Sequence, residues 1–179
     1  MRLFISIEIS DDLKRKIIKI QEKFKDFDIK FVEKDNLHFC LKFLGEVSDE
    51  KIDKIKEIIQ ETAEKFEKFK INIKGIGVFP SKSYIRVVWL GVEDGKMLEA
   101  IASELNNSLE NLGFKKDRFV PHLTLGRVRS GRNREELVKI IEFLNPEIGE
   151  MEVNKIDLIQ SVLTRRGPVY KEIFSSKLT

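Results

Sequence analysis

The sequence predicts an α+β fold: a bilobal, pseudo-twofold pair of duplicated strand–helix–strand–helix units, with two antiparallel sheets facing a central cleft and helices outside. Three observations predict it. Patterns with a period of two alternate along the chain with patterns of helical period. The order strand, helix, strand, helix occurs twice at a nearly constant offset. The two histidines of the chain, His38 and His122, fall at equivalent places in the two copies. With 179 residues, 41% of them hydrophobic, the chain can bury a core as one domain spanning 1–179.

Leu3, Ile5, Ile7 and Ile9 alternate with Arg2, Phe4, Ser6 and Glu8, which makes a strand with one apolar face. Ser10-Asp11-Asp12 reads as a helix N-cap with an acidic first turn, and Leu13, Ile17, Ile20 and Phe24 follow at helical spacing. Strand-like sequence returns at 30–32 and 37–43 and is expected to break at Gly45. Ser48-Asp49-Glu50 opens a second helix, with Ile52, Ile55, Ile59 and Phe66 on one face. Strands are expected at 71–79 and 84–90 around the turn Pro80-Ser81-Lys82-Ser83. A third helix follows Glu93-Asp94, carries Met97, Ile101, Leu105 and Leu112, and stops at Gly113. A strand at 122–128 comes next. Asn133-Arg134-Glu135-Glu136 resembles a capping box before a helix carrying Leu137, Ile140, Ile141 and Leu144. Strands near 151–158 and 169–174 close the chain.

The offset of the repeat is checkable. Ile9 and Val92 precede the first helix of each copy, 83 positions apart. His38 and His122 differ by 84, as do Leu41 and Leu125, and Ile52 and Leu137 differ by 85. Any alternating chain aligns loosely with itself, but the equivalent His-x-x-Leu positions do not follow from alternation.

Charge and composition bound the function. The 33 Lys and Arg nearly balance 30 Asp and Glu, so the net charge of +3 does not by itself argue nucleic-acid binding. Its distribution is uneven. Residues 115–134 hold seven basic side chains against the single acid Asp117, a local +6 that leaves −3 for the rest. This stretch is either an anion-facing surface or a solvated cationic face. No apolar run approaches the ~18–20 residues of a membrane helix, and the N-terminus lacks a signal-peptide core, so a cytoplasmic protein is expected. The single cysteine, Cys40, excludes an intrachain disulfide framework and a Cys-rich zinc site.

The chemistry centres on His38-Phe39-Cys40-Leu41 and His122-Leu123-Thr124-Leu125. Strand alternation puts His38 with Cys40, and His122 with Thr124, on one face of their strands. If the copies pack as a pseudo-dimer, two imidazoles look into one cleft. With an unperturbed pKa near ~6.5, one neutral and one protonated copy coexist near neutral pH. The neutral one takes a proton from water or a hydroxyl and the protonated one supplies a leaving alkoxide. Phosphoester cleavage uses that pair, with hydroxyls and guanidiniums on the phosphate oxygens. A lone strand histidine is ordinarily structural; two at repeat-equivalent positions are not so easily dismissed. Two histidines fall short of a three-ligand zinc site, and no metal or cofactor is expected. Neither G-x-S-x-G nor G-x-x-x-x-G-K occurs.

The two motifs resemble the paired His-x-Thr-x signatures of the two-histidine phosphoesterase superfamily. Their flanks, 36–47 and 119–128, and the strand 2–7 are similar to the RNA 2′,3′-cyclic phosphodiesterase family, historically called 2′-5′ RNA ligase, and the resemblance spans essentially the whole chain. It implies a bilobal α+β protein whose motifs line a central cleft. It implies opening of a 2′,3′-cyclic phosphate at an RNA 3′ end to leave a 2′-phosphate, together with a weak, reversible, ATP-independent 2′-5′ ligation. By that pattern His38 is the general acid on the leaving 3′ oxygen and His122 the general base on water.

One residue departs from the family pattern. Cys40 stands where Thr or Ser is usual, and a thiol is the weaker donor, so it is expected to hold phosphate less firmly than Thr124. The bland alternative is a small packing residue. Phe43 and Arg127, each five residues after a histidine, are carried over as base and phosphate contacts. Strand parity alone places both on the face opposite the histidines; a bulge allowed by Gly126 would turn Arg127 back. Arg129, Arg132 and Arg134 are candidates for following an RNA backbone, and Trp89 and Tyr84 for stacking, with surface decoration and packing as their ordinary roles.

The sequence is therefore read as a metal-independent hydrolase acting on RNA 2′,3′-cyclic phosphate ends, tRNA fragments among them, as a monomer and away from any membrane. The rivals are a non-catalytic RNA-end-binding module and a phosphodiesterase of small cyclic nucleotides or 2′-5′ oligonucleotides.

Overall fold

A computed structural model describes all residues, 1–179. Strand β1 (Arg2–Glu8) leads into α1 (Asp11–Glu22), the short β2 (Ile29–Phe31), a 3-10 turn (Lys34–Asn36), β3 (His38–Glu46) and α2 (Asp49–Glu64). Then come β4 (Phe69–Ser81), β5 (Tyr84–Val92), α3 (Lys96–Glu110), β6 (Leu123–Val128), α4 (Arg134–Phe143), β7 (Glu147–Val153), β8 (Lys155–Thr164) and β9 (Gly167–Lys177).

The strands lie in the order β7-β4-β5-β6-β3-β1-β8-β9, each antiparallel to its neighbour, with β2 added outside this path against β6. A pseudo-twofold passes between β6 and β3. It relates β3 to β6, β1 to β5, β8 to β4 and β9 to β7. The two expected antiparallel sheets are the two halves of this order. They are joined edge to edge through a single register pair, Phe39 with Leu123, into one nine-stranded sheet.

The halves exchange strands. β4 follows the helix of the first copy but pairs with β5 in the second half. β8 follows the second copy but pairs with β1 in the first. The single strand expected near 151–158 is two: β7 pairs with β4 and β8 with β1, in opposite halves, with Asn154 between them. Both strands contribute to one core, and the apolar alternation, Met151 and Val153 before and Ile156 and Leu158 after, changes parity at Asn154. Its main-chain oxygen is held by the Leu178 N–H at 2.8 Å.

The helices cover one face of the sheet with the residues that helical spacing selects. Leu13 and Ile17, Ile55 and Ile59, Ile101 and Leu105, and Leu137 and Ile141 are all buried, each side chain contributing roughly 1.5–3 kcal/mol. Three local expectations are corrected. Met97 is 39% exposed and Leu98 is buried in its stead, because the buried stripe of α3 runs Leu98, Ile101, Ala102, Leu105 and Leu109 and leaves Met97 at its edge. Asn133 adopts a left-handed conformation (φ 61°) and its side chain makes no cap bond, so the capping box does not form. Gly45 does not end its strand. At φ 71° it pairs with Leu3 inside β3, which continues to Glu46, whereas Gly113 at φ 92° does follow the end of α3. No helix is long and apolar enough to cross a membrane.

Candidate active site

The motif strands begin in the same way. His38 is the first residue of β3, separated from the 3-10 turn by Leu37 alone, and its Nδ1–H donates to the Asn36 carbonyl oxygen at 2.7 Å. His122 stands immediately before β6, and its Nδ1–H donates to the Val120 carbonyl oxygen, also at 2.7 Å. A carbonyl oxygen can only accept, so both rings carry a proton on Nδ1. In the neutral ring the lone pair is then on Nε2, the nitrogen left for chemistry.

Both imidazoles line one cavity of about 580 Å³, and Cys40, Thr124, Phe43 and Arg127 line it with them. All six residues singled out in the motifs therefore reach one space. Aromatic rings hold each imidazole. Phe4 lies 4.8 Å and Tyr170 5.5 Å from His38, centroid to centroid. Phe79 lies 5.0 Å and Trp89 6.2 Å from His122.

Phe43 and Arg127 reach the cavity because each motif strand carries an extra residue directly after its second motif position. Along β3, Phe4 pairs with Phe43, Ile5 with Lys42 and Ser6 with Cys40, which leaves Leu41 unpaired. Along β6, Val88 pairs with Gly126 and Trp89 with Thr124, which leaves Leu125 unpaired. A bulge shifts the alternation by one residue, so the cleft face runs 38, 40, 43 in one strand and 122, 124, 127 in the other. Burial records the shift: Leu41 and Lys42 are buried in succession, as are Leu125 and Gly126. The bulge sits at Leu125, one residue before the glycine expected to host it. Gly126 has a different task. A β-carbon there would stand 2.6 Å from Ile29 Cγ2 and 2.9 Å from the Lys30 oxygen, so its absence lets β2 lie against β6.

Electrostatics separates the two motifs. Burial pushes the His38 pKa down. The bond to the Asn36 oxygen opposes this, and the charge of His122 adds to it. Burial, reinforced by the Asp117 carboxylate, pushes the Cys40 thiol up to about 12, so it is a thiol and not a thiolate at neutral pH. Beside Cys40, the Lys42 side chain turns to the helix side of the sheet and is almost wholly buried. Its Nζ donates to Asn106 Oδ1 at 2.7 Å and to the Lys115 oxygen at 2.5 Å, and lies 3.3 Å from Asp117 Oδ2. This anchors the irregular segment that carries Val120 and His122.

Several lining residues were not singled out in the sequence. Tyr170 comes from β9, Phe4 and Arg2 from β1, and the Arg2 guanidinium carbon stands 5.1 Å from the Phe43 ring centroid. Arg2 and Phe4 share strand parity, a signal that points to the cleft only once the β1–β3 register is known. Lys30, Arg118 and Arg166 stand on its rim. Arg129, Arg132 and Arg134 are exposed and do not line the cavity; the Arg134 guanidinium donates to the Lys82 oxygen at 3.1 Å. Tyr84 is 63% exposed at the β4–β5 hairpin and also lies outside it, while Trp89 packs edge-on to His122. No three His, Cys, Asp or Glu side chains are grouped to hold a metal ion.

A duplicated α+β sheet that brings two strand histidines to one basic, aromatic-walled cleft defines a phosphoesterase of the two-histidine class. The sequence matches the model of the family described as LigT like Phosphoesterase twice, over residues 7–89 and 90–170, and the chain belongs to that family. The double match falls on the two copies of the repeat. The chain is 46% identical to an RNA 2′,3′-cyclic phosphodiesterase of Methanocaldococcus jannaschii, over 97% of this chain and 98% of that protein. It is 41% identical to one of Methanothermobacter thermautotrophicus, over 97% and 96%. Among solved structures it is similar to TT0787 of Thermus thermophilus, with a TM-score of 0.87 at 26% identity over 99% and 98% of the two chains. It is also similar to E. coli LigT complexed with 3′-AMP, with a TM-score of 0.84 at 28% identity over the same shares.

Proposed function

We propose that the protein hydrolyses 2′,3′-cyclic phosphates at RNA 3′ ends to 2′-phosphomonoesters, with the whole chain acting as one domain around the cleft. The observation that carries the reading is the matched pair of Nδ1–H bonds to carbonyl oxygens two residues upstream, which leaves Nε2 of both rings free on one cavity. The relatives bearing the name RNA 2′,3′-cyclic phosphodiesterase support the reaction, and the 3′-AMP complex of E. coli LigT supports a nucleotide phosphate as ligand.

In this mechanism Nε2 of His122 takes a proton from water as the water oxygen bonds to phosphorus. The bond from phosphorus to the 3′ oxygen breaks, and Nε2 of His38 gives that oxygen its proton. Thr124 and Arg127 hold the non-bridging oxygens, with Cys40 as a weaker donor, and Phe43 packs at the base. Burial disfavours the imidazolium of His38. The phosphate's negative charge counters that and readies His38 as an acid. A 5′-hydroxyl in place of water gives the 2′-5′ linkage by the same two transfers. RNA ends such as tRNA fragments, action as a monomer and a cytoplasmic setting belong to the same reading.

The lowered pKa of His38 favours one second reading, the exchange of roles between the two histidines. A cyclic phosphate with sulfur in place of the bridging 3′ oxygen separates them, because a thiolate leaves without a proton. His38→Ala should then recover most of its lost rate and His122→Ala none; the reverse pattern exchanges the roles. Turnover of a short RNA with a 2′,3′-cyclic end tests the activity itself. Each alanine variant is expected to lose at least ~10²–10⁴ in kcat/KM. No turnover by the wild type would sink the proposal.

A further inference from the structure

The β8–β9 hairpin extends past the sheet and overhangs one end of the cleft. Leu163, Arg166 and Tyr170 of this arm line the cavity, yet Leu163 is 70% exposed; Val162 and Val169, paired with each other on the opposite face of the hairpin, do not line it. On the cleft side of the hairpin Leu163 therefore offers an exposed apolar surface to whatever occupies the cavity. The turn joining the strands is Arg165-Arg166, so two exposed cations follow Leu163 at the tip of the arm. The arm is tied to the catalytic strand: Asn36 Nδ2 donates to the Pro168 oxygen at 2.9 Å, and the Asn36 oxygen receives the His38 Nδ1–H.

A line of cations joins the arm to the motifs. Arg127 on β6 pairs in register with Lys30 on β2. A β-carbon built at Gly167 would lie 3.9 Å from Lys30 Nζ, which places that ammonium against the hairpin turn. Arg127, Lys30 and Arg166 thus follow one another from the second motif to the tip of the arm. A single RNA strand offers the matching pattern of phosphates at regular steps with a base at each, and it needs cations and apolar surface in alternation.

We infer that this line and the arm form a subsite for the nucleotide immediately upstream of the cyclic phosphate. Its phosphodiester lies on Lys30 and Arg166, and its base packs on Leu163. The inference rests on the activity proposed above and adds a preference for oligonucleotides over mononucleotides.

The experiment compares a nucleoside 2′,3′-cyclic phosphate with the dinucleotide and pentanucleotide carrying the same end. Wild type is expected to show kcat/KM for the dinucleotide about tenfold or more above that for the mononucleotide. The ratio should collapse toward one in the pair Lys30→Ala with Arg166→Ala, and fall in Leu163→Ser. The double variant should also flatten the dependence of log affinity on log salt by about 1.4 for the pentanucleotide. Equal wild-type rates on mononucleotide and dinucleotide would overturn the subsite, as would variants that slow both substrates by the same factor. Calorimetry with the 2′-phosphorylated mononucleotide and dinucleotide reads the same contrast with no turnover. Absent catalysis with the binding contrast intact would remove the proposed activity and keep the subsite; absent contrast in binding would remove the subsite alone.

Discussion

Leu41 and Leu125 are 84 positions apart, and each is left unpaired directly after the second motif position of its strand. The duplication thus repeats an irregularity as well as a pattern. In both strands the extra residue reverses the alternation after the second motif position, and the side chain two places further on enters the cleft. Phe43 and Arg127 are the outcome. One motif acquires an aromatic ring and the other a guanidinium at equivalent points around the histidines.

Arg127→Ala is therefore expected to lower kcat/KM by at least tenfold, since a charge-assisted contact to phosphate contributes about 1.5–3 kcal/mol. Phe43→Ala should act mainly on KM. Steady-state kinetics on a cyclic-phosphate RNA checks both, and an unchanged kcat/KM in Arg127→Ala would remove that residue from the phosphate site.

Gly126→Ala tests the packing on the second bulge. The added methyl would press on Ile29 and the Lys30 backbone at distances no neighbour tolerates, so β2 must shift. A destabilisation of about 1–3 kcal/mol is expected by urea unfolding. An unchanged midpoint would mean that β2 yields freely.

Lys42 occupies the repeat position of Gly126 and does the opposite: it fills its space with a charge. Lys42→Met removes the donor to the Lys115 oxygen and the ion-pair partner of Asp117, and leaves Asn106 Oδ1 with only the Asp117 N–H at 3.3 Å. Asp117 is half exposed and water can solvate it, so the cost is that of the lost hydrogen bonds to Asn106 and the Lys115 oxygen, about 1–3 kcal/mol. Chemical denaturation reads this, and Lys42→Arg should recover part of it. Because the same cluster anchors the segment before His122, kcat should fall in Lys42→Met even under conditions where the protein remains folded.

The pH dependence of stability follows from His38. Its folded-state pKa lies below the unfolded value near ~6.5. The unfolded chain therefore binds the proton first as pH falls. The contribution of neutral His38 is complete above ~6.5 and is lost as pH drops toward the folded pKa. Unfolding free energy should decline from pH 7.5 to pH 5, and more shallowly in His38→Gln. Equal slopes in the two proteins would contradict a depressed His38.

Cys40 should be inert. With its pKa pushed up to about 12 it holds almost no thiolate at neutral pH, so alkylation by iodoacetamide should be slow in the native protein. Cys40→Ser should retain or raise activity, since a hydroxyl is the better donor to phosphate. Near-total loss would make the sulfur a participant.

The sequence by itself determined the two histidines, their 84-residue offset, the His-x-x-Leu frames and the helices that cover the sheet. These are local facts, because side-chain alternation and helical spacing are set by neighbours along the chain. It could not place Phe43 and Arg127, since a bulge exists only against a partner strand and register is not written in one strand alone. Nor could it assign residues 147–164 to two lobes: the change of apolar parity at Asn154 is local, but the edges that β7 and β8 meet, β4 and β1, lie far away in the chain. Tertiary structure decided which edges met. It brought β9 with Tyr170 to His38, seated Asn36 between that ring and the hairpin arm, and left Arg129, Arg132 and Arg134 outside the cleft that their charge had suggested.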